Sequence, residues 1–169
     1  MACRPIVVYP DPRLKAVCEP IAAIDDGVRQ LAVDLRDTLE GLVGTGIAAP
    51  QIGVLRRVVY LDSSRSPKYA DHSRGPLTLL NPVIVERSGT KRFREGCLSL
   101  PDFTATVKRA KRVTVEALAL DGQPLRLEVE GFEAILLQHE LDHLDGVLFI
   151  DRVEDLGSAR LRQVGADDD

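Results

Sequence analysis

Apolar and polar positions recur along this chain with two different periods, and the switches between them predict its elements. Val28, Leu31, Ala32, Leu35, Leu39 and Leu42 recur at helical spacing, with Asp25 or Asp26 suited to cap the first turn. That helix is expected to end near Gly41 to Gly46. Val54 to Leu61 reads as a strand, and Leu77 to Val85 as another. The second is interrupted by Asn81-Pro82, so an edge or a bend is expected there. Arg112 to Leu120, Asp121-Gly122 and Gln123 to Glu130 form a strand–turn–strand signal for a hairpin. Between the first two strands, Asp62 to Pro76 is rich in Ser, Pro, Lys and Arg and reads as a surface loop. It carries His72, expected to be solvated rather than a ligand.

The last strong pattern runs from about Gly131 to Asp145. Phe132, Ile135, Leu136, His139 and His143 fall on one face of a helix, and Gly146 stands just past its end. The histidines therefore extend an apolar stripe. Strands first and a central helix late predict an α+β fold, a single domain with antiparallel or mixed sheets packed around that helix. The domain is expected to span residues 1–169, with 152–169 a C-terminal tail ending in the acidic Ala166 to Asp169.

Composition narrows the class. A chain of 169 residues, 44% hydrophobic and 28% charged, has the make-up of an ordinary globular domain. A net charge of −4 gives no electrostatic case for nucleic acid or a membrane surface. No run approaches membrane-spanning length, and no signal or transit segment is evident. Three cysteines without a disulfide framework fit a reducing compartment. The expected location is the cytoplasm. The basic cluster Lys108, Arg109, Lys111 and Arg112 reads as a solvated strand edge.

Candidate chemistry concentrates in His139-Glu140-Leu141-Asp142-His143. Two imidazoles four residues apart share a helix face and can chelate a divalent metal, with Glu140 able to reach a water on it. Core histidines satisfied by backbone carbonyls are the alternative, but two of them beside a glutamate leave several buried polar atoms to satisfy. A catalytic tetrahedral site needs a third protein ligand and an open position. Cys97, in Glu95-Gly96-Cys97-Leu98-Ser99, is the best candidate. Cys3 and Cys18 lack ligand neighbours and read as ordinary small side chains. A third constellation is Gly44-Thr45-Gly46-Ile47-Ala48-Ala49-Pro50-Gln51. Its small residues permit close approach of a ligand, and the Gln51 amide can donate to an oxyanion.

Gly44 to Gln51, Glu95 to Ser99 and Gln138 to His143 together resemble, in order and rough separation, the three signature motifs of peptide deformylases. The resemblance extends from Tyr9-Pro10-Asp11-Pro12-Arg13-Leu14 to Leu148-Phe149. It implies removal of the formyl group from the N-terminal formyl-methionine of new polypeptides, releasing formate. It implies Cys97, His139 and His143 as metal ligands, Glu140 as general base, and Gln51 with the backbone N–H of Leu98 as oxyanion donors. Gly46, Ile47 and Gly96 would bind the substrate backbone, and Phe93, Phe132, Ile135 and Leu136 its methionine side chain. Ferrous iron is the implied ion, with zinc or nickel able to substitute. Nascent formyl-methionyl polypeptides, and the ribosome that makes them, are the implied partners. Two departures stand out: Thr45 where many relatives are aliphatic, and Thr104 where some bacterial relatives have arginine. A metallopeptidase would usually carry Glu, Asp or a third His as its remaining ligand. A non-catalytic metal module would need a fourth ligand.

Overall fold

Asp25 accepts a hydrogen bond from the Val28 N–H at 2.9 Å and starts helix α1, Asp26–Glu40. These are features of a computed structural model that describes residues 3–162. The acidic end expected to fray, Ala166 to Asp169, lies outside the described residues. Helix α1 buries Val28, Leu31, Leu35 and Leu39, as its periodicity predicts.

Five strands form one sheet: β1 (Gly46–Ala48), β2 (Val58–Leu61), β3 (Leu77–Ser88), β6 (Arg112–Leu118) and β7 (Pro124–Glu130), in the order β1-β2-β3-β6-β7. Every neighbouring pair is antiparallel. The second sheet has the order β4-β5-β8, from β4 (Lys91–Cys97), β5 (Leu100–Arg109) and β8 (Arg160–Leu161), also antiparallel. The α+β architecture is as expected.

Several boundaries differ from expectation for identifiable reasons. The strand expected from Val54 begins only at Val58, because the preceding residues bond to the N-terminal segment instead. The Glu19 N–H donates to the Leu55 carbonyl and the Arg57 N–H to the Glu19 carbonyl, both at 2.9 Å. Strand β3 runs through Asn81-Pro82 as an interior strand, not an edge. A register shift between Leu80 and Val83 absorbs the missing proline N–H. Asn81 takes a positive φ of 50° and its side chain bonds both backbone groups of Ile21, at 2.7 and 2.9 Å. The segment expected as a tail folds back, with Val153 bridging Val107 and Leu161 opposite Phe103.

Helix α2, Gly131–Leu144, is the centre of the molecule. The apolar stripe underestimates its burial, since every residue from Glu133 to Leu144 is buried. Leu137, Leu141 and Leu144 pack with Val59, Leu79 and Val115 of the large sheet. Two polar positions along the helix are satisfied internally. Glu133 accepts from Ser63 Oγ at 2.8 Å, and Gln138 bonds both backbone groups of Ala110 at 3.0 Å. Past the helix, Gly146 takes φ +71°, and a Cβ there would press on the Lys15 carbonyl.

Candidate metal centre

Strand β4 ends at Cys97, and Leu98-Ser99 make the tight turn into β5. This turn delivers the Cys97 sulfur to the side of α2 that carries the histidines. One ligand atom from each of Cys97, His139 and His143 lies within 4.8 Å of the other two, and all three residues are buried. Cys97 Sγ stands 3.3 Å from His143 Nε2. Burial opposes ionisation of the Cys97 thiol, but the imidazoles of His143 and His139 outweigh it and hold the thiol well below its ordinary value. Burial likewise opposes charge on His139, yet contact with Cys97 and Glu95 holds its pKa well above the usual imidazole range. A thiolate and two imidazoles at this separation suit a divalent cation, which would take the place of the shared protons.

Behind the ligands lies a set of charges that the sequence reading missed. Glu95 Oε2 is 3.6 Å from His139 Nδ1. Arg109 grips both oxygens of Glu95 at 3.0 and 2.9 Å, and its other nitrogen reaches Asp142 at 2.5 Å. Arg152 closes the set with two bonds to Asp142, at 2.6 and 2.7 Å. Arg109 was expected on a solvated edge, but it is 4% exposed. It points inward because it follows the outward Lys108 on a strand of period two, and its charge is matched by two buried carboxylates. Burial would raise the Glu95 pKa, but His139 and Arg109 together bring it down to about 2. Glu95 thus fixes which nitrogen of His139 faces the other ligands.

Glu140 is 2% exposed and lies against β1. Burial pushes its carboxyl up to about 7, against the pull of the neighbouring imidazoles. Its Oε2 and the Nδ1 of His143 have no hydrogen-bond partner among the described residues. Gln51 is held from its oxygen side, where Oε1 accepts the Ala48 N–H at 2.9 Å. That bond turns the NH2 toward the centre, 3.2 Å from Ser99 Oγ and 3.5 Å from Cys97 Sγ.

A cleft of about 590 Å³ opens over Glu140 and His139, with Phe93, Phe132, Ile135 and Leu136 in its wall. Tyr69, which no pattern along the chain singled out, stacks on Phe132 with ring centroids 4.1 Å apart. Gly46, Gly96 and Leu98 also line the cleft. Ile47 does not: alternation along β1 turns it away, fully buried with Leu35, Leu39 and Val58. Its expected contact with substrate is therefore limited to main-chain atoms. Thr45 lines the cleft, while Thr104 is buried and accepts a bond from Arg94 at 3.0 Å. A larger groove of about 1110 Å³ includes His72, exposed as expected, but none of the ligand atoms. Two ion pairs lie along it, Arg112 with Glu130 and Arg74 with Glu133.

The polypeptide deformylase family model matches residues 3–159. The chain belongs to the polypeptide deformylase family. A peptide deformylase of Alkalilimnicola ehrlichii is 45% identical over 163 residues, 96% of this chain and 89% of that one. The crystal structure of a peptide deformylase from Legionella pneumophila superposes with a TM-score of 0.84 at 40% identity, covering 92% of this chain and 88% of that one. A Met-Ala-Ser-bound peptide deformylase from Acinetobacter baumannii gives 0.84 at 35% identity, covering 90% and 100%. As a deformylase, the chain is a hydrolase that removes the N-formyl group from newly made polypeptides, in a family that depends on a metal. No helix among the described residues is long and apolar enough to cross a membrane.

Proposed function

We propose that residues 1–169 act as one catalytic domain in which Cys97, His139 and His143 hold a single divalent ion. The observation that carries this reading is the convergence of three buried ligand atoms within 4.8 Å beneath a cleft whose floor is Glu140. When bound, a divalent ion there would supply Lewis acidity toward the formyl carbonyl and a water. Glu140 takes a proton from the attacking water and returns it to the amine as the carbon–nitrogen bond breaks. The products are formate and a free methionyl N-terminus. The Gln51 amide and the Leu98 N–H donate to the oxygen that gains charge.

Substrate recognition follows from the fold. Strands β1 and β4 are each the edge of a sheet, and Gly46 and Gly96 leave their backbones open toward the cleft. An extended peptide, with main-chain bonds near Gly46, Ile47 and Gly96, fits between them as an added strand. Phe93, Phe132, Ile135 and Leu136, with Tyr69 behind, take the methionine side chain. The Met-Ala-Ser complex of the Acinetobacter relative supports a peptide in this cleft.

Ferrous iron is the ion we assign, on the family resemblance; the donor set also accepts zinc or nickel. Action in the cytoplasm on chains leaving the ribosome fits three free cysteines. Formate release from a formyl-methionyl peptide, compared with amide cleavage of the unformylated peptide, tests the reaction. Cleavage of the unformylated amide at a comparable rate would make the chain a metallopeptidase instead.

A further inference from the structure

The chain has four Phe and three Tyr, and three of these seven rings meet in the cleft wall. Tyr69 lies flat on Phe132, with centroids 4.1 Å apart and planes 10° from parallel. Phe93 meets Phe132 at 5.8 Å and 47°. Contacts from two rings therefore restrain Phe132, and all three rings are half-buried. Phe93 and Phe132 come from β4 and α2, but Tyr69 comes from the 62–76 loop, whose residues 65–69 form one side of the cleft.

A ring on a loop fixes a wall only where the loop itself is fixed, and this loop is held twice. Arg65 donates to the carbonyls of Gly44, Leu39 and Leu42 at 2.8–3.0 Å, which ties the loop to the segment entering β1. Glu133, 6% exposed, accepts from Ser63 Oγ and from the Arg74 N–H, both at 2.8 Å, and faces the Arg74 guanidinium at 3.4 Å. Ser63 and Arg74 bracket Tyr69 in the chain, and Glu133 follows Phe132 on the first turn of α2. One buried carboxylate thus holds both ends of the loop on the helix that carries the stacked ring. Deleting the Tyr69 ring would leave space into which Phe132 can turn, widening the pocket on that side. Methionine is unbranched and flexible and suits a narrow slot, whereas a phenylalanine ring is wider and rigid.

We propose that Tyr69 is a specificity-determining residue for deformylation: stacked on Phe132, it fixes the width of the methionine pocket and so favours an unbranched side chain over an aromatic one. This rests on the cleft holding the methionine side chain. Metal-loaded full-length enzyme would be assayed on formyl-Met-Ala-Ser and formyl-Phe-Ala-Ser. The ratio of the two kcat/KM values on one preparation does not depend on how much of it is folded or metal-loaded. Tyr69→Ala should lower the methionine-to-phenylalanine ratio by about ten-fold, mainly through KM, the scale on which a hydrophobic pocket discriminates. Tyr69→Phe keeps the ring and should hold the ratio within about two-fold of wild type. Phe132→Ala should lower it at least as far as Tyr69→Ala. A ratio lowered in Phe132→Ala but unchanged in Tyr69→Ala would overturn the role of Tyr69 while leaving the methionine pocket standing. A fall in Tyr69→Phe as large as in Tyr69→Ala would assign the effect to the hydroxyl and overturn the stacking argument. A ratio unchanged in both alanine variants would put the methionine side chain elsewhere, overturning the pocket and the role of Tyr69 together.

Discussion

A Cβ added to Gly46 would stand 2.5 Å from Oε1 of Glu140 and 2.9 Å from Leu136 Cδ1. Real side chains do not approach this closely, so β1 must carry glycine here for the glutamate to hold its position. Gly46→Ala should lower kcat by about 10²-fold or more, the scale of a displaced acid–base group. Bound metal, measured by elemental analysis, should stay near stoichiometric. Near wild-type turnover in that variant would mean Glu140 works from another position.

Cys97→Ala removes one of the three proposed ligands and should lose most of the bound metal. Because the ion binds only the folded chain, the melting temperature should fall as well. Calorimetry with and without a chelator checks this: the wild type should shift on chelation and the variant should not. Full metal retention in Cys97→Ala would refute the ligand set.

Glu140→Ala should keep its metal and lose on the order of 10²–10⁴ or more in turnover. The wild-type pH profile follows from the same carboxyl. A base must be deprotonated to act, so kcat/KM should rise with pH and then level off. Burial, partly offset by the imidazoles of His139 and His143, sets the half-point at about 7, and a cation beside it pulls the half-point lower. An acid limb that survived in Glu140→Ala would belong to another group.

Glu95 should make stability depend on acid. Its folded pKa of about 2 lies below the ordinary 4.5, so its contribution is present above the ordinary value and is lost as pH falls toward 2. The full shift corresponds to roughly 3 kcal/mol. Urea unfolding from pH 6 to pH 2 should show Glu95→Gln less stable than wild type at the upper end, with the gap closing at the lower. Arg109→Ala strips buried Glu95 of its guanidinium, while Asp142 keeps Arg152, and should cost about 3–5 kcal/mol at neutral pH.

The histidine pair was legible in the sequence because helical spacing converts directly into a shared face. Cys97 was legible from the Glu95 to Ser99 pattern. The charges behind them were not. Arg109 meets partners 14 and 33 positions away, and no local period connects them. The burial of Glu133, Gln138 and Asp142 on helix α2 was not legible either, because their partners lie on other elements. That the Ile47 side chain turns into the core was not legible, because a three-residue strand is too short for its alternation to be read.

The resident metal has its own test. A ferrous ion beside a thiolate is open to oxidation at both metal and sulfur. Enzyme purified without oxygen should lose activity in air faster than under argon, and exchange to nickel should slow the loss. Equal decay in both gases would point to zinc, which has no redox chemistry.

Gly46 on β1 and Gly96 on β4 face one cleft from two separate sheets. A peptide lodged between these edges would join two ladders into one, using amide and carbonyl groups that every polypeptide possesses. Such a reader senses little of what gene a chain came from. One enzyme can then serve a whole proteome, with methionine at the end as the common token of admission.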